Sequence, residues 1–83
     1  STMEKYPQVL INVKDINKDK LASSVKIKEA ITSAEQQLGQ NGRVLLRASG
    51  TEALVRVMVE ADELPLAQKI ADSLAQLVRL ELK

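Results

Sequence analysis

The 83-residue sequence has no cysteine and no histidine. The first absence removes disulfides and thiolate chemistry. The second removes the commonest metal ligand and the usual base at neutral pH. Tyr6 is the sole aromatic residue, so single-stranded nucleic acid finds no platform on which its bases stack. The net charge of +1 exerts no bulk pull toward nucleic acid or an acidic membrane. No apolar run approaches the roughly 20 residues of a membrane-spanning helix, and no signal-peptide pattern is read at the start. Internal repeats, linkers and low-complexity segments are missing as well. Nothing demands an oxidising compartment, and the expected location is cytoplasmic.

What is present is aliphatic. Hydrophobic residues make up 45% of the chain, enough for one small core of modest stability. From Gln8 to Lys14 the pattern alternates, with Val9, Ile11 and Val13 on one face, which predicts a strand. The polar stretch 15–20 breaks it. Ile27, Ala30, Ile31, Ala34 and Leu38 recur at helical spacing and predict a helix from Ser23 or Ser24 to Leu38, with either serine as N-cap. A second strand is predicted over 43–47. A third is predicted over 54–61, where Val55, Val57 and Val59 share one face. Asp62-Glu63 opens a last helix, with Pro65 in its first turn. Its buried side carries Ala67, Ile70, Leu74, Leu77 and Val78, and it runs to Arg79 or Leu80.

The order β-α-β-β-α predicts an α+β fold: a small mixed β-sheet in the order 2-3-1 with two helices on one face. Leu10, Leu45, Leu54 and Met58 then share the open face with Arg47 and Arg56. Either these four are scattered surface residues, or the face packs near another domain and the arginines edge a cleft.

The hairpin between the second and third strands carries the chemistry. Arg47-Ala48-Ser49-Gly50-Thr51-Glu52 sets a small polar turn between two strand-like runs. Three of the four arginines, Arg43, Arg47 and Arg56, fall within this hairpin. Turn amides, two hydroxyls and a planar cation are the donors that a phosphate monoester takes. Ser-Gly-Thr is also an ordinary way to turn a hairpin, and exposed arginines are usually solvated. On the residues alone both readings stand.

Gly39-Gln-Asn-Gly42 matches the G-x-x-G of an RNA-binding loop. Here it joins a helix to a strand and carries no basic residue, so a helix C-cap glycine followed by an Asn-Gly turn accounts for it. Asp62-Glu63 is the one adjacent carboxylate pair. The helix dipole is reason enough for it, and two neighbours do not make converging metal ligands.

The run from Gly42 to Ala61, GRVLLRASGTEALVRVMVEA, resembles the phosphate-binding loop of the α-D-phosphohexomutases, and within that superfamily the phosphoglucosamine mutases. Tyr6 to Val13 is similar to the strand that opens the C-terminal domain of those enzymes, and the likeness extends over most of the chain. Two positions depart from the family pattern: Ala48, where Pro or Lys is usual, and Ala53, where Pro is usual. Neither position supplies a phosphate donor.

The resemblance implies that residues 1–83 are a single C-terminal domain, excised from a larger enzyme, with 47–52 as its phosphate-binding loop. Such an enzyme interconverts glucosamine 6-phosphate and glucosamine 1-phosphate through a bisphosphorylated intermediate. It uses a phosphorylated serine and a Mg²⁺ ion held by aspartates, all in other domains. The resemblance assigns Arg47, Ser49, Gly50, Thr51 and Arg56 to the substrate phosphate, with Glu52 orienting an arginine. No catalytic residue or metal ligand is expected in the chain itself. Ser49 lacks the base and metal that a phosphoryl-accepting nucleophile needs, so the isolated fragment is expected to be inactive. The implied partners are the phosphosugar substrate, the bisphosphate intermediate and the other domains of the same enzyme, with no nucleic acid and no membrane. Two alternatives stay open: the same domain of a phosphomannomutase or phosphoglucomutase, and a non-enzymatic module that binds a regulatory anion.

Overall fold

The computed structural model describes residues 6–83. Its elements run β1 (Gln8–Lys14), α1 (Val25–Leu38), β2 (Gly42–Ala48), β3 (Leu54–Ala61) and α2 (Leu64–Glu81), with short 3₁₀ turns at Lys18–Lys20 and Gly39–Asn41. The strands form one sheet in the order β1-β3-β2, as expected. Both ladders are antiparallel, so the sheet expected to be mixed holds no parallel pair among the described residues. β1 and β2 point the same way, but β3 lies between them.

The valine alternation explains which face is covered. Val55, Val57 and Val59 of the central strand are fully buried and join Val9, Val13 and Val44 of the flanking strands in one core. α1 adds Ile27, Ala34 and Leu38, and α2 adds Ala67, Ile70, Ala71, Leu74, Ala75 and Val78. Ala67, Ala71 and Ala75 stand four apart, so one stripe of α2 is thin enough to lie close against β1 and β3. Ala30, Ile31 and Leu77, expected on the buried stripes, are only half-buried.

Local chemistry sets the ends of α1. Ser24 Oγ accepts the Ile27 N–H at 3.3 Å as N-cap. Gly39, at φ 62°, closes the helix in a conformation that disfavours a side chain. Gly42 has a different reason from the turn expected there. Its backbone is extended and begins β2, but a Cβ on it would lie 2.1 Å from the Glu60 carbonyl oxygen. Close approach of β2 to β3 therefore requires glycine. Gly42→Ala is expected to cost about 1–3 kcal/mol, the range for overpacking. A Cβ on Gly50 meets nothing within 4 Å, so Gly50→Ala should stay within about 0.5 kcal/mol of the parent. Urea denaturation of both variants checks the contrast, and equal losses would contradict it.

The stretch 15–20 does more than break a strand. Asp15 turns the chain out of β1 at φ 60°, a conformation aspartate tolerates better than most residues. Ile16 is buried in the core, and the Asn17 side chain accepts the Asp19 N–H at 3.1 Å. Asn17 N–H in turn donates to the Leu82 carbonyl at 2.5 Å. This holds the end of α2, which runs beyond Leu80 to Glu81 and is followed by a fully buried Leu82. Among the described residues no helix is long and apolar enough to cross a membrane.

Candidate phosphate-binding site

The helices cover the valine face and leave the other open, and the strand register lays three cross-strand rows over that open face. The first row is Gln8, Glu60 and Arg43. Its carboxylate is matched on both sides: Glu60 accepts from Gln8 Nε2 at 3.3 Å and pairs with Arg43 Nε at 3.2 Å. The second row is Leu10, Met58 and Leu45. Leu10 and Leu45 are 59% and 42% exposed, whereas Met58 is only 8% exposed, because the central strand is shaded by its register partners. Leu54 is buried too, so the four apolar residues assigned to this face are not exposed together.

The third row breaks the pattern. It is Asn12, Arg56 and Arg47, with one arginine set directly opposite another. Arg56 Nε donates to Asn12 Oδ1 at 3.2 Å, while neither guanidinium has a carboxylate in salt-bridge range among the described residues. Like charges opposed across a ladder are destabilising. At one end the sheet pairs its arginine with Glu60; at the other it concentrates positive charge and leaves it unbalanced.

The loop joins β2 to β3 beside this row. Ser49 N–H donates to the Leu54 carbonyl at 3.0 Å and Leu54 N–H to the Glu52 carbonyl at 2.8 Å, which closes the turn. Ser49 Oγ accepts from the amides of Thr51 at 3.3 Å and Glu52 at 3.2 Å. A hydroxyl has two lone pairs and one proton. Both lone pairs are engaged, so the Ser49 O–H is left to donate outward. The Thr51 amide, expected to form part of an anion cradle, is turned onto Ser49 instead, together with that of Glu52. Arg47, Ala48, Ser49 and Arg56 line a surface pocket of about 390 Å³.

The structure thus brings Arg47, Ser49 and Arg56 around one pocket, with Gly50 and Thr51 exposed on the adjoining turn. Glu52 forms no salt bridge among the described residues; the side chain on Arg56 is Asn12. Asn12 carries no signal of this role in the sequence, because it lies 44 residues from Arg56 and only the register joins them. No group of three or more acidic side chains converges among the described residues.

The family model for the phosphoglucomutase/phosphomannomutase C-terminal domain matches residues 10–77, a span that includes Asn12, both opposed arginines and the whole loop. The chain belongs to this family. Within the family's wider circle, it is 62% identical over 78 residues to phosphoglucosamine mutase of Rhodococcus erythropolis, covering 94% of this chain and 18% of the relative. Phosphoglucosamine mutase of Streptomyces coelicolor is 52% identical over 79 residues, or 95% of this chain and 18% of the relative. The chain therefore spans under a fifth of the length of these relatives. Among solved structures, N-acetylphosphoglucosamine mutase of Aspergillus fumigatus, in complex with GlcNAc-6P and magnesium, superposes with a TM-score of 0.82 at 29% identity. That match covers 96% of this chain and 16% of the fungal one.

Proposed function

We propose that the chain is the substrate-phosphate-binding domain of a mutase that interconverts glucosamine 6-phosphate and glucosamine 1-phosphate through a bisphosphorylated intermediate. The observation that carries the reading is the opposed pair Arg47 and Arg56, without a carboxylate among the described residues and beside a hydroxyl whose proton is free. The identity to phosphoglucosamine mutases favours the amino sugar over other hexose phosphates.

In this reading Arg47 grips two phosphate oxygens with its planar fork. Arg56, steered by Asn12, adds the second positive charge. Ser49 donates its proton, Thr51 adds a hydroxyl, and Gly50 lets the ligand come close to the backbone because nothing stands over it. Glu52 is the remaining candidate for orienting an arginine once phosphate is present. The task is to hold whichever phosphate is not being transferred, in either orientation of the intermediate.

Mg²⁺, when bound to such a mutase, neutralises charge on the transferring phosphoryl group. In this reading the metal and the phosphorylated serine belong to the remainder of a longer enzyme. The chain alone is then a holder of phosphate without turnover. The exposed leucines of the open face, Leu10 and Leu45, border the arginine row and look toward that remainder.

An amide NMR titration with inorganic phosphate tests the reading. Shifts are expected to concentrate over 47–52, with smaller ones near Arg56. Shifts centred on 39–42 would point to nucleic-acid chemistry instead, and a silent spectrum at millimolar phosphate would remove the site.

A further inference from the structure

Lys18 lies outside the hairpin, in the 3₁₀ turn between β1 and α1, yet its Nζ donates to the Ser49 carbonyl at 2.5 Å across 31 residues of sequence. We infer that Lys18 is a positioning residue of the phosphate loop and its third cation. This rests on the phosphate reading above and extends it to a residue from a different element.

The segment that carries Lys18 is anchored on both sides. Asp15 takes a left-handed backbone conformation at the end of β1. The Ile16 N–H then reaches the Ala53 carbonyl at 3.5 Å, at the far end of the same loop, and the Ile16 side chain is buried in the core. Asn17 is tied to Leu82, and Lys20 Nζ donates to the Lys83 carbonyl at 3.0 Å. The turn is thus fixed to the core and the C-terminus while touching the loop near both of its ends. Lys18 is half-buried, so its ammonium is less free to wander than an exposed lysine's.

Two consequences follow from the chemistry of the ammonium. Holding the Ser49 carbonyl fixes the peptide between Ser49 and Gly50, and hence the direction of the Gly50 N–H. An ammonium has three protons, and one is used on Ser49, so two remain beside a loop that already faces Arg47 and Arg56. The charge contributes to holding an anion even where no direct contact forms. Among the described residues Lys18 has no carboxylate in salt-bridge range.

The test is phosphate titration of the chain by amide NMR, with Lys18→Met, Lys18→Arg and Lys20→Met beside the parent. Lys18→Met is expected to weaken inorganic phosphate roughly three- to tenfold, less than the loss of a direct hydrogen bond to a charged group, because Lys18 is not among the residues that line the pocket. It should also shift the Gly50 and Thr51 amides before any phosphate is added. Lys18→Arg is expected to recover most of the affinity. Lys20→Met removes the same charge from the same turn and should stay within twofold. Lys18→Met with parental affinity, or an equal loss in Lys20→Met, overturns the inference and leaves the phosphate site standing. A parent chain that does not respond to phosphate overturns both. Should Lys18→Met melt too low to titrate, Lys18→Gln replaces it, with a loss expected and parental affinity overturning the inference.

Discussion

Arg47→Ala is expected to weaken phosphate binding by about 1.5–3 kcal/mol, the range of a hydrogen bond to a charged group, or roughly 10- to 150-fold. The guanidinium is exposed and lines the pocket with Ser49 and Arg56, so its removal takes away donors without opening the core. Arg47→Lys should fall between parent and alanine, because lysine keeps the charge and loses the two-point planar contact. Isothermal calorimetry with inorganic phosphate reads the binding term. In a full-length mutase the proposed function predicts the loss in both reaction directions, since on that proposal either phosphate of the intermediate visits this loop. Parental affinity in Arg47→Ala would remove its assignment as the phosphate anchor.

Leu74→Ala is expected to have the largest effect on the fold. Leu74 is 3% exposed, in the middle of α2, the helix packed against β1, β3 and α1. Deleting a buried leucine side chain costs about 3–5 kcal/mol where the site cannot collapse. A domain of this size has only about 5–10 kcal/mol to lose, so a third or more of its stability should go and the melting temperature should fall by well over about 10 °C. Leu80, on the same helix but 65% exposed, provides the control: Leu80→Ala should change stability by about 0.5 kcal/mol or less. Circular dichroism melts of the two variants measure the difference. Similar melting points would mean that α2 does not hold the sheet as described.

The fold was legible wherever a single element carried its own signal. β1 and β3 follow from alternation about the valines, and their limits coincide with the pattern. Ser24 and Gly39 mark the ends of α1 through local chemistry that needs no tertiary partner. What escaped depends on residues far apart in the chain. Ile16 reads as one apolar residue in a polar stretch, and only the folded turn buries it. α2 extends to Glu81 because Leu82 finds a place in the core and a partner at Asn17. Gly42 reads as a turn residue, but the neighbouring strand is what forbids its side chain.

The candidate site divides in the same way. Arg47, Ser49, Gly50, Thr51 and Arg56 were recognisable from the Ser-Gly-Thr turn and its flanking arginines, and the pocket gathers Arg47, Ser49 and Arg56. The engagement of both Ser49 lone pairs was not recognisable, since it depends on the turn's geometry. Asn12 and Lys18 arrive from β1 and from the turn after it, and neither residue type at that position announces a partner in the hairpin.

On the proposed function, the two opposed arginines are kept for an anion rather than for the fold. Melting the parent and Arg47→Ala, each in phosphate-free buffer and in saturating phosphate, tests it most directly. Ligand that binds only the folded state raises its stability, so the parent should gain several degrees from phosphate and Arg47→Ala much less. Without phosphate, Arg47→Ala should melt at or above the parent, because the repulsion across the ladder is relieved. An Arg47→Ala chain that melts well below the parent without phosphate, and gains as much from phosphate as the parent does, would contradict the account.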